Sequence, residues 1–256
     1  GDDTEVVQGA LEEVVQFTQL DKNEMATDNR KESNEQMLMR AAYHIKQARA
    51  QRKLYRLCTA NAIKSAEQKT TSHSDMVYTF VVDYGQNMDM PAFNSMQPGE
   101  TYYYSPLTVY NLGVVNTAEV VSDEMESEEH LHTHVCHQGI VGKGGNSVAS
   151  LLIHALKQLN IMREGEIGGE LNVVFDNCSG QNKNNMVIRL VAFLVELGYF
   201  KKVSFIFLVV GHTKNAADRL FNALKEVYRR ENIGTMEKLY KKLNSSAKVT
   251  VYKTDE

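Results

Sequence analysis

At 256 residues, 43% of them hydrophobic, the chain is long enough for one large α/β domain, or for a domain carrying a helical arm. A net charge of −4 argues against a general nucleic-acid coat and confines any such contact to a local basic face. Three cysteines, Cys58, Cys136 and Cys178, lack CxxC spacing, which argues against a disulfide framework or zinc ribbon and points to a reducing interior, nuclear or cytoplasmic.

The first 24 residues are acidic, and "ALEEVVQFTQL" (10–20) reads as a short amphipathic helix. The opening "GDDTEVV" is no secretory signal, and no run reaches the roughly 18 apolar residues of a membrane span, so a membrane is not an expected partner. The start at Gly1 without a methionine reads as a processed or cloned fragment. From 29 to 68 the pattern is helical and turns basic, with Arg40, Lys46, Arg49, Arg52, Lys53 and Arg56 close together. These cations read either as the solvated face of a packing helix or as a phosphate-contacting arm. Residues 1–70 are expected to form an N-terminal helical arm and 71–256 the main domain.

"MVYTFVVDYGQN" (76–87) is β-branched and aromatic and reads as a strand delivering Asp83 to a sheet edge, beside Gln86 and Asn87. Residues 101–121 and 130–141 read as two further strands, parted by the acidic turn "SDEMESEE" (122–129), so that the three form an antiparallel meander. A helix is expected over 146–162, then a strand, "ELNVVFD" (170–176), ending on Asp176. "NMVIRLVAFLVELG" (185–198) is apolar almost all round and reads as a buried crossing helix closed by Gly198. The strand "VSFIFLVVGHT" (203–213) and the helix "NAADRLFNALKEVYRR" (215–230) follow, with Asp218 in the first turn of that helix.

The resulting order, βββαβαβα, is that of a ribonuclease-H-like fold: a mixed five-stranded sheet flanked by helices. In such a sheet the first strand lies centrally with the fourth parallel beside it, so Asp83 and Asp176 meet at one edge and Asp218 joins them from the last helix. Like charges about 4 Å apart repel by roughly 4 kcal/mol at an effective dielectric of 20. Three clustered carboxylates therefore call for a divalent cation, and hard oxygen ligands suit Mg²⁺ or Mn²⁺ in phosphodiester chemistry. Each aspartate also has an ordinary reading, as a turn residue or a helix cap.

The loop after Asp176 supplies Asn177, Ser179, Gln181, Asn182, Lys183 and Asn184. These side chains read equally as a collar for the carboxylate, phosphate or base edges and as a self-capped loop. In "GHTKN" (211–215), Thr213 or Asn215 reads as an N-cap, while His212 and Lys214 read as donors to a phosphate near Asp218. His130, His132, His134 and Cys136 alternate and share one strand face; a half-exposed strand is the plainer reading and a zinc site the sharper one. Cys178 as a nucleophile has no histidine tied to it. No Walker loop, GxGxxG turn or DxDx(T/V) phosphatase motif is present.

Taken as a set, "VYTFVVDYGQN", "YYYSPLTVYNLGVV", "GGNSVASLL", "NVVFDNCSGQNKNN" and "FLVVGHTKNAADRLFNALK" resemble a transposase-derived domain of unknown function from eukaryotic mobile elements. That domain is similar to DDE-type transposases and integrases. The resemblance implies metal-dependent cleavage or strand transfer of nucleic acid by Asp83, Asp176 and Asp218 with His212, and Mg²⁺ or Mn²⁺ as cofactor. It further implies nucleic-acid contacts at Asn177, Gln181, Asn182, Lys183, Lys214, Arg49, Arg52 and Lys53, with DNA as the first expected partner and a homodimer as a compatible state. The chain departs from the commonest pattern at the third acid: His212 stands near the place usually held by a glutamate. The alternative is a domesticated module that keeps the fold and binds nucleic acid or protein without turnover.

Overall fold

The computed structural model describes residues 34–68, 72–120, 127–212, 214–246 and 248–253; the helix expected at 10–20 and the start of the helical arm lie outside them. Among the described residues the elements run α1 (Asn34–Glu67), β1 (Val77–Tyr84), β2 (Met88–Met90), β3 (Leu107–Val120), β4 (Ser127–His137), α2 (Gly145–Gln158) and β5 (Gly168–Phe175). They continue with α3 (Asn185–Glu196), β6 (Phe200–Phe207), α4 (Ala216–Tyr228), α5 (Met236–Leu243) and β7 (Val249–Lys253). The architecture is α/β with one mixed sheet in the order β6-β5-β1-β3-β4-β7, β2 pairing with β3. β3 runs against every other strand.

The sheet has seven strands rather than the expected five. β2 is a three-residue strand split from β1 by residues 85–87, and β7 is only five residues long, so neither carries enough alternation to stand out in the sequence. The strand expected from residue 101 starts at Leu107, because a 3₁₀ turn, Gly99–Tyr103, precedes it and Pro106 has no N–H for a ladder. β4 begins at Ser127 inside the expected acidic turn, whose residues 122–126 are not described.

Alternation along the strands divides the core between the two sheet faces. Val81, Val115 and Val174 pack with Leu54 of α1 and Leu224 of α4 on one face. Phe80, Val114 and Val173 pack with Leu152 of α2 and Leu194 of α3 on the other. α1 is thus built into the sheet's core. Its Cys58 carbonyl accepts from Thr79 Oγ1 at 2.9 Å, and its Ser65 Oγ accepts from the Val77 N–H at 3.0 Å. α3 departs from the buried crossing helix its composition suggests. Only Val187, Leu190 and Leu194 are buried, while Ile188 and Phe193 stay 50% and 44% exposed, because the helix covers an outer sheet face with a single stripe.

Candidate active site

The parallel register of β1 and β5 pairs Val81 with Val174 and Val82 with Phe175. One residue further on, Asp83 and Asp176 stand side by side at the carboxyl ends of adjacent strands, about 4.8 Å apart along the sheet. Both share the parity of Val81 and Val174, so both face α1 and α4. The third acid arrives on α4. Asn215 caps this helix in a reciprocal box: its Oδ1 accepts from the Asp218 N–H at 3.3 Å, and Asp218 Oδ2 accepts from the Asn215 N–H at 3.0 Å. Asp218 is therefore both a capping residue and a member of the acidic group, with one oxygen engaged by the cap.

The oxygens of Asp83, Asp176 and Asp218 do not all lie within 4.8 Å of one another, yet their charges are coupled. Burial, reinforced by the charges of Asp176 and then Asp218, pushes the Asp83 carboxyl up to about 7. The Tyr84 N–H, donating to Asp83 Oδ1 at 2.8 Å, and the nearby Asn215 amide work in the opposite direction without overcoming it. Asn215 is buried, and its Nδ2 makes no hydrogen bond among the described residues. Asp176 is held differently: Oδ1 accepts from the Cys178 N–H at 3.2 Å and from Asn182 Nδ2, while Oδ2 makes no hydrogen bond among the described residues.

A glycine lets α4 come this close. Gly113 of β3 lies opposite Asp83, and a Cβ there would sit 2.5 Å from Phe221 Cζ and 2.6 Å from Leu131 Cδ1. Phe221 is one turn past Asp218 on α4, so an alanine at this position has to push the helix or the leucine aside. Gly113→Ala is expected to cost about 1–3 kcal/mol in chemical denaturation. Gly99→Ala, where nothing lies within 4 Å, serves as the control and should leave stability unchanged.

The polar escorts separate into two kinds. Asn182, expected to contact nucleic acid, is only 1% exposed and turned inward on Asp176, so its work is to orient that carboxylate. Asn184 caps α3, accepting from the Met186 and Val187 N–H groups at 3.1 Å each; a helix end expected to cradle phosphate is thus already satisfied by the chain itself. The Asn182 and Lys183 N–H groups close onto the Cys178 carbonyl at 2.8 and 2.9 Å. Asn177 and Gln181 are half-buried in this loop, and the Lys183 and Lys214 side chains are exposed to solvent.

His212 lies in the loop after β6, on the same sheet edge, with its ring 5.1 Å from that of His44 on α1. Among the described residues, no hydrogen bond or ion pair joins it to an aspartate. Thr213, the other expected cap, lies outside the described residues, and Asn215 fills that role. The His44 contact fixes the run of α1, from the acidic edge back to the start of β1 at Ser65. Arg49, Arg52, Lys53 and Arg56, at helical spacings of three and four, are all exposed along its outer side.

Lys143 is a site residue that sequence reasoning missed. Its ammonium lies 4.8 Å from the Tyr84 ring centroid and 5.3 Å from that of Tyr110. Burial lowers its pKa, while Asp83 and Cys178 draw it back up. The flanking Gly142 and Gly144 have nothing within 4 Å of an added Cβ, and only Gly145 is crowded, by Asn184 at 2.5 Å, so the segment "GKGG" carries no signal of this lysine's place. A cavity of about 950 Å³ opens elsewhere, between Phe93, Tyr102, Tyr104 and Arg229, and none of the three aspartates lines it.

Among proteins already grouped by sequence, the family model described as "Domain of unknown function (DUF7869)" matches residues 122–255, just over half of the chain, and the chain belongs to that family. The matched span contains Asp176 and Asp218 and leaves Asp83 and α1 outside. No curated protein and no solved structure matches the chain. No helix among the described residues is long and apolar enough to cross a membrane.

Proposed function

We propose that this DUF7869-family chain is a metal-dependent nucleic-acid phosphodiesterase or strand-transfer core of the transposase type, built on a ribonuclease-H-like sheet. The observation that carries the reading is the pairing of Asp83 and Asp176 at the ends of two adjacent parallel strands, with Asp218 close enough to help hold Asp83 near neutral pH. The strand order β4-β3-β1-β5-β6, with only β3 reversed, supports the fold assignment.

Three carboxylates at one sheet edge, with Asp176 Oδ2 making no hydrogen bond among the described residues and Asp83 pushed toward protonation, are the hard oxygen donors that suit Mg²⁺ or Mn²⁺, and an ion would have to draw their oxygens closer together than this arrangement holds them. Such an ion supplies charge neutralisation at the phosphoryl oxygens and lowers the pKa of attacking water. The chain's own residues do the rest. Asp83, Asp176 and Asp218 would hold the ion; Asn182 and the Cys178 N–H fix the Asp176 rotamer; Asn215 sets the angle of Asp218. Lys143 and the α1 cations offer positive charge to a phosphate backbone passing the edge. DNA is the substrate the reading commits to.

The capping role of Asp218 favours a second reading, a binding module without turnover, since one carboxylate oxygen is already spent on the helix. Labelled single- and double-stranded DNA incubated with Mg²⁺ or Mn²⁺ decides between them. Cleavage that EDTA and Asp176→Asn both abolish is the expected result. Retained DNA binding with no cleavage under either ion would leave the binding module standing and sink the catalytic reading.

A further inference from the structure

A second group of ligand-bearing side chains lies outside the acidic edge. On β4, His130 and His132 share the sheet face of Val114, which is the α2 and α3 face, opposite that of Asp83. Glu119 reaches them from the end of β3, just past the irregularity that breaks the β3–β4 register between Asn116 and Glu119. One potential ligand atom from each of Glu119, His130 and His132 lies within 4.8 Å of the others.

What distinguishes this group from a chance cluster is how the far sides of the rings are held. His130 Nε2 is 3.0 Å from Thr250 Oγ1, and His132 Nδ1 is 3.1 Å from the Tyr252 hydroxyl, both partners belonging to β7. The parallel β4–β7 register that pairs His132 with Thr250 and His134 with Tyr252 puts these hydroxyls on the histidine face. Each ring therefore has one nitrogen fixed by a hydroxyl and one left over, the arrangement by which second-shell groups orient metal-ligating histidines. For His130 the remaining nitrogen is Nδ1, buried and without a hydrogen-bond partner among the described residues. For His132 it is Nε2, 2.6 Å from Glu119 Oε2. The His134 ring, stacked on Tyr252 at 5.1 Å and 22°, keeps the tyrosine in place.

We propose that Glu119, His130 and His132 form a zinc site, with His130 Nδ1, His132 Nε2 and a Glu119 carboxylate oxygen as ligands and a fourth position open to water. Two imidazoles and one carboxylate suit Zn²⁺, whereas Mg²⁺ and Mn²⁺ favour all-oxygen sets such as the aspartates. The 2.6 Å contact is shorter than the roughly 3.3 Å between two ligands of one tetrahedral zinc, given bonds of about 2.0–2.1 Å. Glu119 accordingly swings outward on binding, and the partly exposed carboxylate past the strand irregularity has room to do so. The ion would replace the hydrogen between Glu119 and His132, the His132 proton shifting from Nε2 to Nδ1, where the N–H donates a hydrogen bond to the Tyr252 oxygen.

Chelator-competition titration of the full chain with Zn²⁺ tests this, together with the visible spectrum of the Co²⁺-loaded protein. One Zn²⁺ per chain and a tetrahedral Co²⁺ spectrum are expected, both unchanged in the Asp83→Asn/Asp176→Asn double variant. Glu119→Gln should weaken Zn²⁺ binding at least tenfold, and Tyr252→Phe, which keeps the ring but loses the hydroxyl, tenfold to a hundredfold. Both substitutions leave the packing intact, and circular dichroism verifies the fold. Failure of the wild type to bind zinc overturns the proposal. So does stoichiometric zinc of undiminished affinity in Glu119→Gln, or loss of zinc in the double aspartate variant.

Discussion

Asp83→Asn is expected to make the metal-free protein more stable at pH 8 while abolishing metal-dependent DNA cleavage. The wild-type carboxyl is raised from 3.8 to about 7, by burial first and by Asp176 and Asp218 after it. A carboxyl raised in this way lends the fold stability that is fully present below about 3.8 and is lost as pH rises through about 7. At pH 8 the metal-free wild type bears the full cost of a buried, repelled carboxylate. An asparagine keeps the shape and the Tyr84 N–H contact without the charge.

At about 1.4 kcal/mol per unit, the shift sets an upper bound of about 4 kcal/mol, which water penetration and relaxation reduce to an expected gain of about 1–2 kcal/mol. In a chain of this size that is roughly 2–8 °C in Tm. Thermal denaturation in EDTA at pH 5 and pH 8 provides the measurement: the advantage of Asp83→Asn should be small at pH 5 and large at pH 8. Added Mn²⁺ should close the gap by raising only the wild type. A variant no more stable than wild type at pH 8 would mean that neither burial nor the neighbouring carboxylates burden Asp83, and the argument for a metal would lose its electrostatic basis.

How much of this could be read from the chain depends on how strongly each residue's neighbours are implied by its own segment. Asp83 and Asp176 each end an apolar run, and two parallel strands of the same parity bring such residues together without any further information. Asp218 was legible because a helix start beside the sheet edge is a fixed place, and its companion Asn215 is a standard cap. The inward turn of Asn182 was not legible: an amide in a polar loop looks alike whether it faces solvent or a carboxylate, and only the closure of the loop on the Cys178 carbonyl decides it. Nor could the burial of α3 be judged from composition, since whether an apolar helix is covered on one side or two depends on layers supplied by distant parts of the chain. The histidine row on β4 read either as a half-exposed strand face or as a zinc site, and its own segment could not decide between them because its neighbours Glu119, Thr250 and Tyr252 come from two other strands.

The cations of α1 give the second large effect. Arg49, Arg52 and Lys53 are exposed on one side of a helix that reaches the acidic edge at His44, so their replacement by glutamine disturbs no core contact and should shift stability by no more than about 0.5 kcal/mol. Each phosphate contact releases counterions and contributes about 0.9 to the slope of log K against log salt on duplex DNA. The triple variant is therefore expected to flatten that slope by about 2–3 and to weaken binding tenfold or more at low salt, across sequences alike. Fluorescence anisotropy over a salt series reads both quantities. Asp176→Asn, by contrast, should keep the wild-type slope, since it removes a carboxylate and no cation. An unchanged slope in the triple variant would mean that the basic side of α1 is a solvated face and that nucleic acid, if bound, approaches the carboxylates from the side of Lys143 and Lys183. A flattened slope would place the strand along α1, from which its phosphates run directly past His44 and His212 to the paired ends of β1 and β5.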